Sequence, residues 1–221
     1  MLKADLHIHS KYSMDCDSPL EKIIARCLEL GINCIALADH GTVEGGLKMR
    51  EIAPFKVIVA EEVLTPDGEI MGMFLKETIK SGQPLGEVIR QIKAQGGLVC
   101  AQHPYDMLLR PGLGGKVLNR IAGEIDLVEV LNARSPLPQS SRKSLAFAEK
   151  HNLPESAGSD AHSIAEIGNA WVEMPEFTDK ESFLKSLSEG KIGGHLSSPF
   201  VHFGGFTRRL KNGFQKEAGN V

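Results

Sequence analysis

The stretch Ala4-Asp5-Leu6-His7-Ile8-His9-Ser10 stands almost at the start of the chain and organises the remainder. Alternate residues of an extended strand point to the same face, so a strand over Leu2 to His9 would aim Asp5, His7 and His9 one way and the apolar residues the other way. Two imidazoles on one face are half of a metal site. A strand with a solvated polar face has the same alternation, so the choice depends on what the later strands provide.

Composition restricts the class of protein. The chain has 221 residues, of which 42% are hydrophobic, 24% charged and 5% aromatic, and a formal net charge of −3. These values are typical of one globular domain and lack the basic excess and aromatic platforms of proteins that bind long nucleic acids. Four scattered cysteines contain no C-x-x-C pair. No apolar leader follows the first Met and no run is long enough to span a bilayer, so we expect a cytoplasmic protein without a membrane partner.

Strand-like and helix-like segments alternate along the chain. The apolar runs 33–38, 56–60, 69–75, 98–101, 126–131 and 170–174 have the length of strands, and the segments between most of them repeat apolar residues at helical spacing. This rhythm predicts βα units and a largely parallel sheet, either a barrel or an open doubly wound sheet. We expect a single domain, with a core over residues 2–175 and residues 176–221 forming a C-terminal helix and tail on the barrel.

Potential metal ligands follow nearly every predicted strand. The carboxyl ends of the strands form the functional face in α/β folds, and polar side chains from several strands meet there. These side chains are mostly imidazoles and carboxylates, which suit Zn²⁺, Mn²⁺ or Fe²⁺ in a catalytic site. They are too numerous for one tetrahedral ion, so two or three divalent ions are expected. The candidate ligands are His7, His9, Asp15, His40, Glu62, His103, Asp160 and His162.

Together these motifs resemble the PHP (polymerase and histidinol phosphatase) superfamily. The motifs are Asp5 to Asp15, Ala38-Asp39-His40-Gly41, Ala60-Glu61-Glu62-Val63, His103-Pro104 and Gly158-Ser159-Asp160-Ala161-His162. The resemblance covers residues 2–175 and implies a distorted (β/α)7 barrel, similar to a TIM barrel, with its metals at the C-terminal ends of the strands. It implies one metal on His7, His9, Glu62 and Asp160, a second on Glu62 and His103, and a third on Asp15, His40 and His162.

The resemblance leaves four site assignments open. Glu62 is chosen as the bridging ligand, with Glu61 as the fallback. Asn132 departs from the pattern, because many relatives have histidine or cysteine at that strand end and an amide oxygen is a poor ligand. Arg134 fits a phosphate clamp or a surface salt bridge, with Arg110 a weaker clamp candidate. His195 fits a substrate contact or leaving-group acid, or plain burial, and Asp39 is expected to orient an imidazole.

The expected activity is metal-dependent phosphoester hydrolysis in which a metal-activated hydroxide attacks phosphorus. Arg134 and His195 are the predicted catalytic residues. The net negative charge favours a small phosphorylated metabolite, a nucleotide or a short oligonucleotide over long duplexes. Two alternatives differ in class: a non-catalytic PHP module that uses metal for binding or regulation, and a metal hydrolase of the amidohydrolase type. The second would require a bridging lysine, and no lysine stands at a suitable strand end.

Overall fold

The computed structural model describes residues 1–107 and 111–197. These residues form nine strands and six α-helices. The elements are β1 (Leu2–Ile8), α1 (Leu20–Glu29), β2 (Cys34–His40), α2 (Glu44–Ile52), β3 (Lys56–Thr65), β4 (Gly68–Met73), α3 (Leu85–Ala94), β5 (Leu98–Ala101), α4 (Gly114–Ile121), β6 (Leu127–Asn132), α5 (Pro138–His151), β7 (Glu155–Gly158), β8 (Ala170–Met174), α6 (Lys180–Ser188) and β9 (Lys191–Gly194).

One sheet runs through all nine strands in the order β7-β6-β5-β4-β3-β2-β1-β8-β9. The β7 end of the sheet approaches β1, because the Asp160 N–H donates to the His7 carbonyl at 2.7 Å and Ile8 forms an isolated parallel bridge with Ala161. The segment after β7 therefore lies beside the carboxyl end of β1, and the sheet is a nearly closed barrel. The predicted α/β barrel is confirmed.

The β3–β4 region differs from the prediction. The apolar run predicts a third strand that ends at Ala60, with the two glutamates beyond it, whereas β3 continues to Thr65. The turn at Asp67-Gly68 folds β4 back antiparallel onto this extension, pairing Glu62 with Met71. β4 is also antiparallel to β5, and β8 is antiparallel to both β1 and β9. The hairpin partner lengthens β3, so Glu62 lies within a strand and is held by a backbone ladder.

Three apolar clusters hold the barrel together. Small and medium side chains fill its interior, among them Ala4, Leu6 and Ala60, and Phe183 from α6 joins them fully buried. Burying a side chain of this size contributes about 1.5–3 kcal/mol. The other two clusters lie between the sheet and the surrounding helices. α6 thus packs into the barrel core, while the assignment of all of 176–221 to the same domain stays a prediction because 198–221 lie outside the described residues.

The strict alternation expected for β1 is broken. The pairing of β1 with β2 shifts register between Asp5 and Ile8. Ala4 and Leu6 belong to the barrel interior, whereas Ile8 packs in the cluster that contains α1. Such an irregularity changes which face the following side chains occupy. Asp5 accordingly binds the backbone N–H groups of Ser159 and Gly168, at 2.8 and 2.9 Å, while His7 and His9 face the other ligands.

Candidate metal centre

The structure brings the eight predicted ligands together at the carboxyl end of the barrel. All are buried except His40, which is half-buried. They form three overlapping groups, and within each group one ligand atom per residue lies within 4.8 Å of the others. The groups are His9, Asp15, His40 and His162; His7, Glu62 and His103; and His7, His9 and Asp160.

Glu62 lies at the centre of this arrangement. Its carboxylate is 2.9 Å from Nε2 of His103 and 3.3 Å from Nε2 of each of His7, His9 and His40. Burial alone would raise the pKa of Glu62, but the surrounding imidazoles outweigh it and hold the pKa well below its usual range. Glu62 therefore carries a negative charge where the three groups meet.

Glu61 is directed away from the cluster. Consecutive strand residues point to opposite faces, and Oε2 of Glu61 accepts the Ile79 N–H at 2.9 Å instead. Burial raises the pKa of Glu61 to about 8, an effect that the hydrogen bond from Ile79 only partly offsets. Glu61 is thus poorly placed to bridge metals, and Glu62 is the geometrically suitable candidate.

Asp15 and His162 form the outer part of the cluster. Nδ1 of His162 lies 2.9 Å from the backbone carbonyl of Asp160, so it donates there and leaves Nε2 directed at Oδ2 of Asp15, 3.3 Å away. His40 Nε2 is 3.6 Å from the same oxygen. Burial would raise the pKa of Asp15, but the hydrogen bond and charge of His162 and the nearby His40 and His9 lower it strongly.

A divalent cation fits this donor set. The Nε2 atoms of His7 and His9 are only 3.2 Å apart, and Oδ1 of Asp160 is 3.3 Å from the latter. At most one proton can be shared between two such nitrogens, so converging lone pairs of this kind are satisfied by a metal ion. The pKa of His9 is held well below its usual value by burial and by the neighbouring His162 and His40, so its ring is neutral, as a metal ligand requires.

Two of the candidate ligands have strained backbones. His103 has a φ of +27° and Asp160 a φ of +53°, in the left-handed region that residues with a Cβ rarely occupy. Each such conformation costs about 1–3 kcal/mol and persists where surrounding contacts enforce it, commonly at functional sites. The Asp160 N–H bond to His7 is one of these contacts.

Glu129, a buried carboxylate within β6, was not among the residues predicted from the sequence. Oε1 of Glu129 is 2.9 Å from Nδ1 of His7, and Oε2 accepts the backbone N–H of His103 at 2.7 Å and the side-chain amide of Asn132 at 2.9 Å. Burial would raise the pKa of Glu129, but His7 lowers it, so the group is ionised. The sequence does contain an indication of this role. Glu129 is the charged residue in the apolar run Leu127–Leu131, and it lies on the same strand face as Leu127, which points into the barrel.

Asn132 connects carboxylates rather than offering its oxygen to the cluster. Its amide donates to Glu129 and, at 3.0 Å, to Oδ2 of Asp160, while its carbonyl oxygen accepts the Arg134 N–H at 2.9 Å. An ionised carboxylate only accepts hydrogen bonds, so the NH₂ group of Asn132 must face Glu129 and Asp160. Its oxygen then faces the Arg134 N–H. Asp160 keeps its other oxygen, Oδ1, directed at His9.

Of the two predicted catalytic residues, Arg134 is buried beside the candidate ligands and His195 is exposed. Arg134 is 6% exposed, and its Nε is 3.2 Å from Oε1 of Glu166, whose other oxygen accepts the His162 N–H at 3.3 Å. The ion pair is therefore buried rather than on the surface. The His195 side chain is exposed, and its backbone N–H donates to the Asn169 carbonyl. The Ser197 N–H donates to the Ala133 carbonyl at 2.6 Å, which brings this segment to the end of β6 beside Arg134.

Two lesser expectations have different outcomes. Asp39 was expected to orient an imidazole, but both of its oxygens bind Ser10, at 2.6 Å to the backbone N–H and 2.7 Å to the hydroxyl. That expectation was wrong, because the loop after β1 supplies nearer donors. Arg110 lies outside the described residues.

Comparisons with known proteins agree with this geometry. The PHP domain family profile matches residues 5–109, and the profile of a PHP-associated region matches residues 138–192. An uncharacterized protein of Methanocaldococcus jannaschii, MJ1587, is 36% identical over 145 residues, which are 60% of this chain and 82% of that protein.

Solved structures of low sequence identity share the fold. A two-domain protein from Bacteroides vulgatus, described as containing a predicted PHP-like metal-dependent phosphoesterase, has a TM-score of 0.71 at 17% identity, covering 94% of this chain and 69% of that one. A candidate metal-dependent phosphoesterase from Bifidobacterium adolescentis has a TM-score of 0.64 at 17% identity, covering 85% of this chain and 96% of that one.

Within residues 1–107 and 111–197, no helix is long and apolar enough to cross a membrane. The profile matches, the relative and the barrel place this chain in the PHP family.

Proposed function

We propose that this protein is a metal-dependent phosphoesterase that hydrolyses a phosphate ester of a small metabolite or nucleotide. The observation that carries the proposal is the overlap of three ligand groups, which share His7 and His9 and are bridged by the Glu62 carboxylate. A single structural metal needs four protein ligands and a closed shell. Eight converging donors instead suit a cluster of ions, which is the arrangement used for in-line displacement at phosphorus.

Two or three divalent ions, Zn²⁺, Mn²⁺ or Fe²⁺, are the proposed cofactors. The proposed ligands are His7, His9, Asp15, His40, Glu62, His103, Asp160 and His162. Ions bound there would supply charge for the phosphate oxygens and lower the pKa of water. The chain's own part is to present imidazole nitrogens and ionised carboxylates in fixed orientations. The low pKa values of Glu62 and Asp15 keep those groups ionised at neutral pH.

Arg134 and His195 are the proposed substrate-binding groups. The support for Arg134 is its permanent charge beside Asn132, and its pairing with Glu166 fixes the direction of the guanidinium. The support for His195 is its exposure on the segment that passes the end of β6. An exposed imidazole there can donate a proton to a departing alkoxide. Arg134→Lys is expected to raise KM for a phosphate ester more than it lowers kcat.

The test is a substrate panel applied to protein of measured metal content. Phosphomonoesters, phosphodiesters, 3′,5′-bisphosphonucleotides and histidinol phosphate should be compared at matched loading with Zn²⁺ and Mn²⁺. Metal-dependent hydrolysis of one class would support the proposal and assign mono- or diesterase activity. Tight metal binding without hydrolysis would favour a binding or regulatory module. Hydrolysis of amides without phosphate release would favour an amidohydrolase-type activity.

A further inference from the structure

Glu129 accepts hydrogen bonds from groups on three strands. Its carboxylate is 3% exposed and binds Nδ1 of His7 from β1, the backbone N–H of His103 just beyond β5, and the amide of Asn132 at the end of β6. Burial raises the pKa of this carboxylate, but His7 lowers it further, so Glu129 is ionised and each of these bonds is charge-assisted. One side chain thus joins three of the strand ends that make up the metal centre.

The bond to His7 determines which ring nitrogen is available. When the ring is neutral, donation from Nδ1 to Glu129 leaves the lone pair on Nε2, the atom that lies 3.2 Å from His9 Nε2 and 3.3 Å from Glu62. In the other tautomer Nε2 would carry the proton and could not bind a metal. A carboxylate behind a ligating imidazole also raises its basicity.

The other two bonds act on the strained ligand residues. The His103 N–H that Glu129 accepts belongs to the residue with φ of +27°, whose Nε2 reaches Glu62 at 2.9 Å. Asn132 extends the connection by donating to Oδ2 of Asp160, the residue with φ of +53°. A strained backbone needs contacts that hold it, and these bonds are such contacts.

We propose that Glu129, acting with Asn132, is the positioning residue of the metal centre. It selects the tautomer of His7 and holds His103 and Asp160 in the conformations that direct their ligand atoms inward. In this chain the side-chain amide of Asn132 therefore links Glu129 to Asp160 by hydrogen bonds. The inference deepens the proposed function, since it concerns how the same site acquires its metals.

The test compares Glu129→Gln with Asp126→Asn. Glutamine keeps the size of the side chain but has one acceptor oxygen, so its NH₂ group must face at least one of the three donors. Asp126 is the matched control, since its carboxylate accepts the Val99 N–H at 2.7 Å and ties the start of β6 to β5 at the opposite end of the barrel. Competition titration with Zn²⁺ and Mn²⁺, and metal counts by mass spectrometry, would be run on each chain after chelation, with folding checked by circular dichroism.

Loss of such a supporting carboxylate is expected to weaken metal binding about 10- to 100-fold. Glu129→Gln should show this loss while remaining folded, Glu129→Asp should recover part of it by restoring the charge, and Asp126→Asn should bind metal as the parent does. Equal affinity in Glu129→Gln and the parent, or an equal loss in Asp126→Asn, would overturn the inference.

A second measurement does not depend on a folded variant. In zinc-loaded parent protein, ¹⁵N spectra should show His7 protonated at Nδ1 and metal-bound at Nε2, and the reverse assignment would refute the inference. Neither readout requires hydrolysis. If the parent protein binds metal tightly but cleaves no phosphate ester, the proposed function is refuted and this inference is not. If the parent protein does not bind metal, both are refuted.

Discussion

Replacing Gly158 with alanine tests whether β7 and β1 position His7 by close backbone contact. A Cβ at Gly158 would lie 2.7 Å from the His7 nitrogen and 2.9 Å from its Cα, and it would overlap the His7 Cβ. Ordinary van der Waals contact begins at 3.4 Å. The obstructing atoms belong to the backbone and Cβ of a buried strand, so no flexible side-chain end can move aside.

The size of the effect follows from two opposing contributions. An extra methyl group in a packed interior costs about 1–3 kcal/mol, and the reduced freedom of the unfolded chain returns about 0.4–1 kcal/mol. The net loss should be about 1–2 kcal/mol. For a domain of this size, that lowers Tm by about 2–8 °C. Because His7 belongs to two of the three ligand groups, metal binding should weaken in parallel.

Gly86→Ala is the matched control. Gly86 lies in α3, and a Cβ there meets nothing within 4 Å. The same substitution should therefore stabilise the protein by about 0.5–1 kcal/mol. Both variants would be unfolded by heat in EDTA, and their metal content would be measured after reloading. A Gly158→Ala protein with the parent's Tm and full metal content would refute the role given to this contact.

Three further predictions concern metals and thiols. Chelation should destabilise the loaded protein: metal at 100 times its Kd contributes about 2.7 kcal/mol, so Tm should fall by about 5–11 °C in EDTA, and an unchanged Tm would contradict metal binding. Glu62→Gln should reduce the bound metal per chain, whereas Glu61→Gln should not, and equal losses by elemental analysis would reverse the assignment of the two glutamates. The four cysteines are buried, and burial raises the pKa of Cys27 and Cys34 to about 12. Since the reactive species is the thiolate, a thiol reagent at pH 8 should modify almost none of them until guanidinium is added, and rapid native labelling would contradict this.

The sequence predicts the barrel and its polar end well because these depend on local patterns. Alternating strands and helices specify a βα architecture, and candidate ligands such as His40 and His103 stand two residues after the end of a short apolar run. Parallel strands must bring their carboxyl ends to one side, so the convergence of these residues follows from topology alone. The preference for Glu62 over Glu61 came from the family resemblance, and strand alternation supplies its physical reason.

What the sequence did not predict depends on contacts between distant residues. The irregularity that separates Asp5 from the face of His7 arises where β1 pairs with β2, and no local pattern marks it. The extension of β3 depends on its β4 partner. Glu129 acquires its role only because His7, 122 residues earlier, lies against it. The Arg134–Glu166 pair likewise joins segments whose proximity the barrel alone creates.

The most direct test of the proposed phosphoesterase is phosphate release by the metal-loaded protein and by its His9→Ala variant, measured at equal protein concentration across the phosphoester panel. His9 belongs to two of the three ligand groups, so its imidazole is needed wherever the ions are shared. We predict hydrolysis of at least one ester by the parent and its abolition in His9→Ala without unfolding. Full turnover by metal-loaded His9→Ala would contradict the central claim.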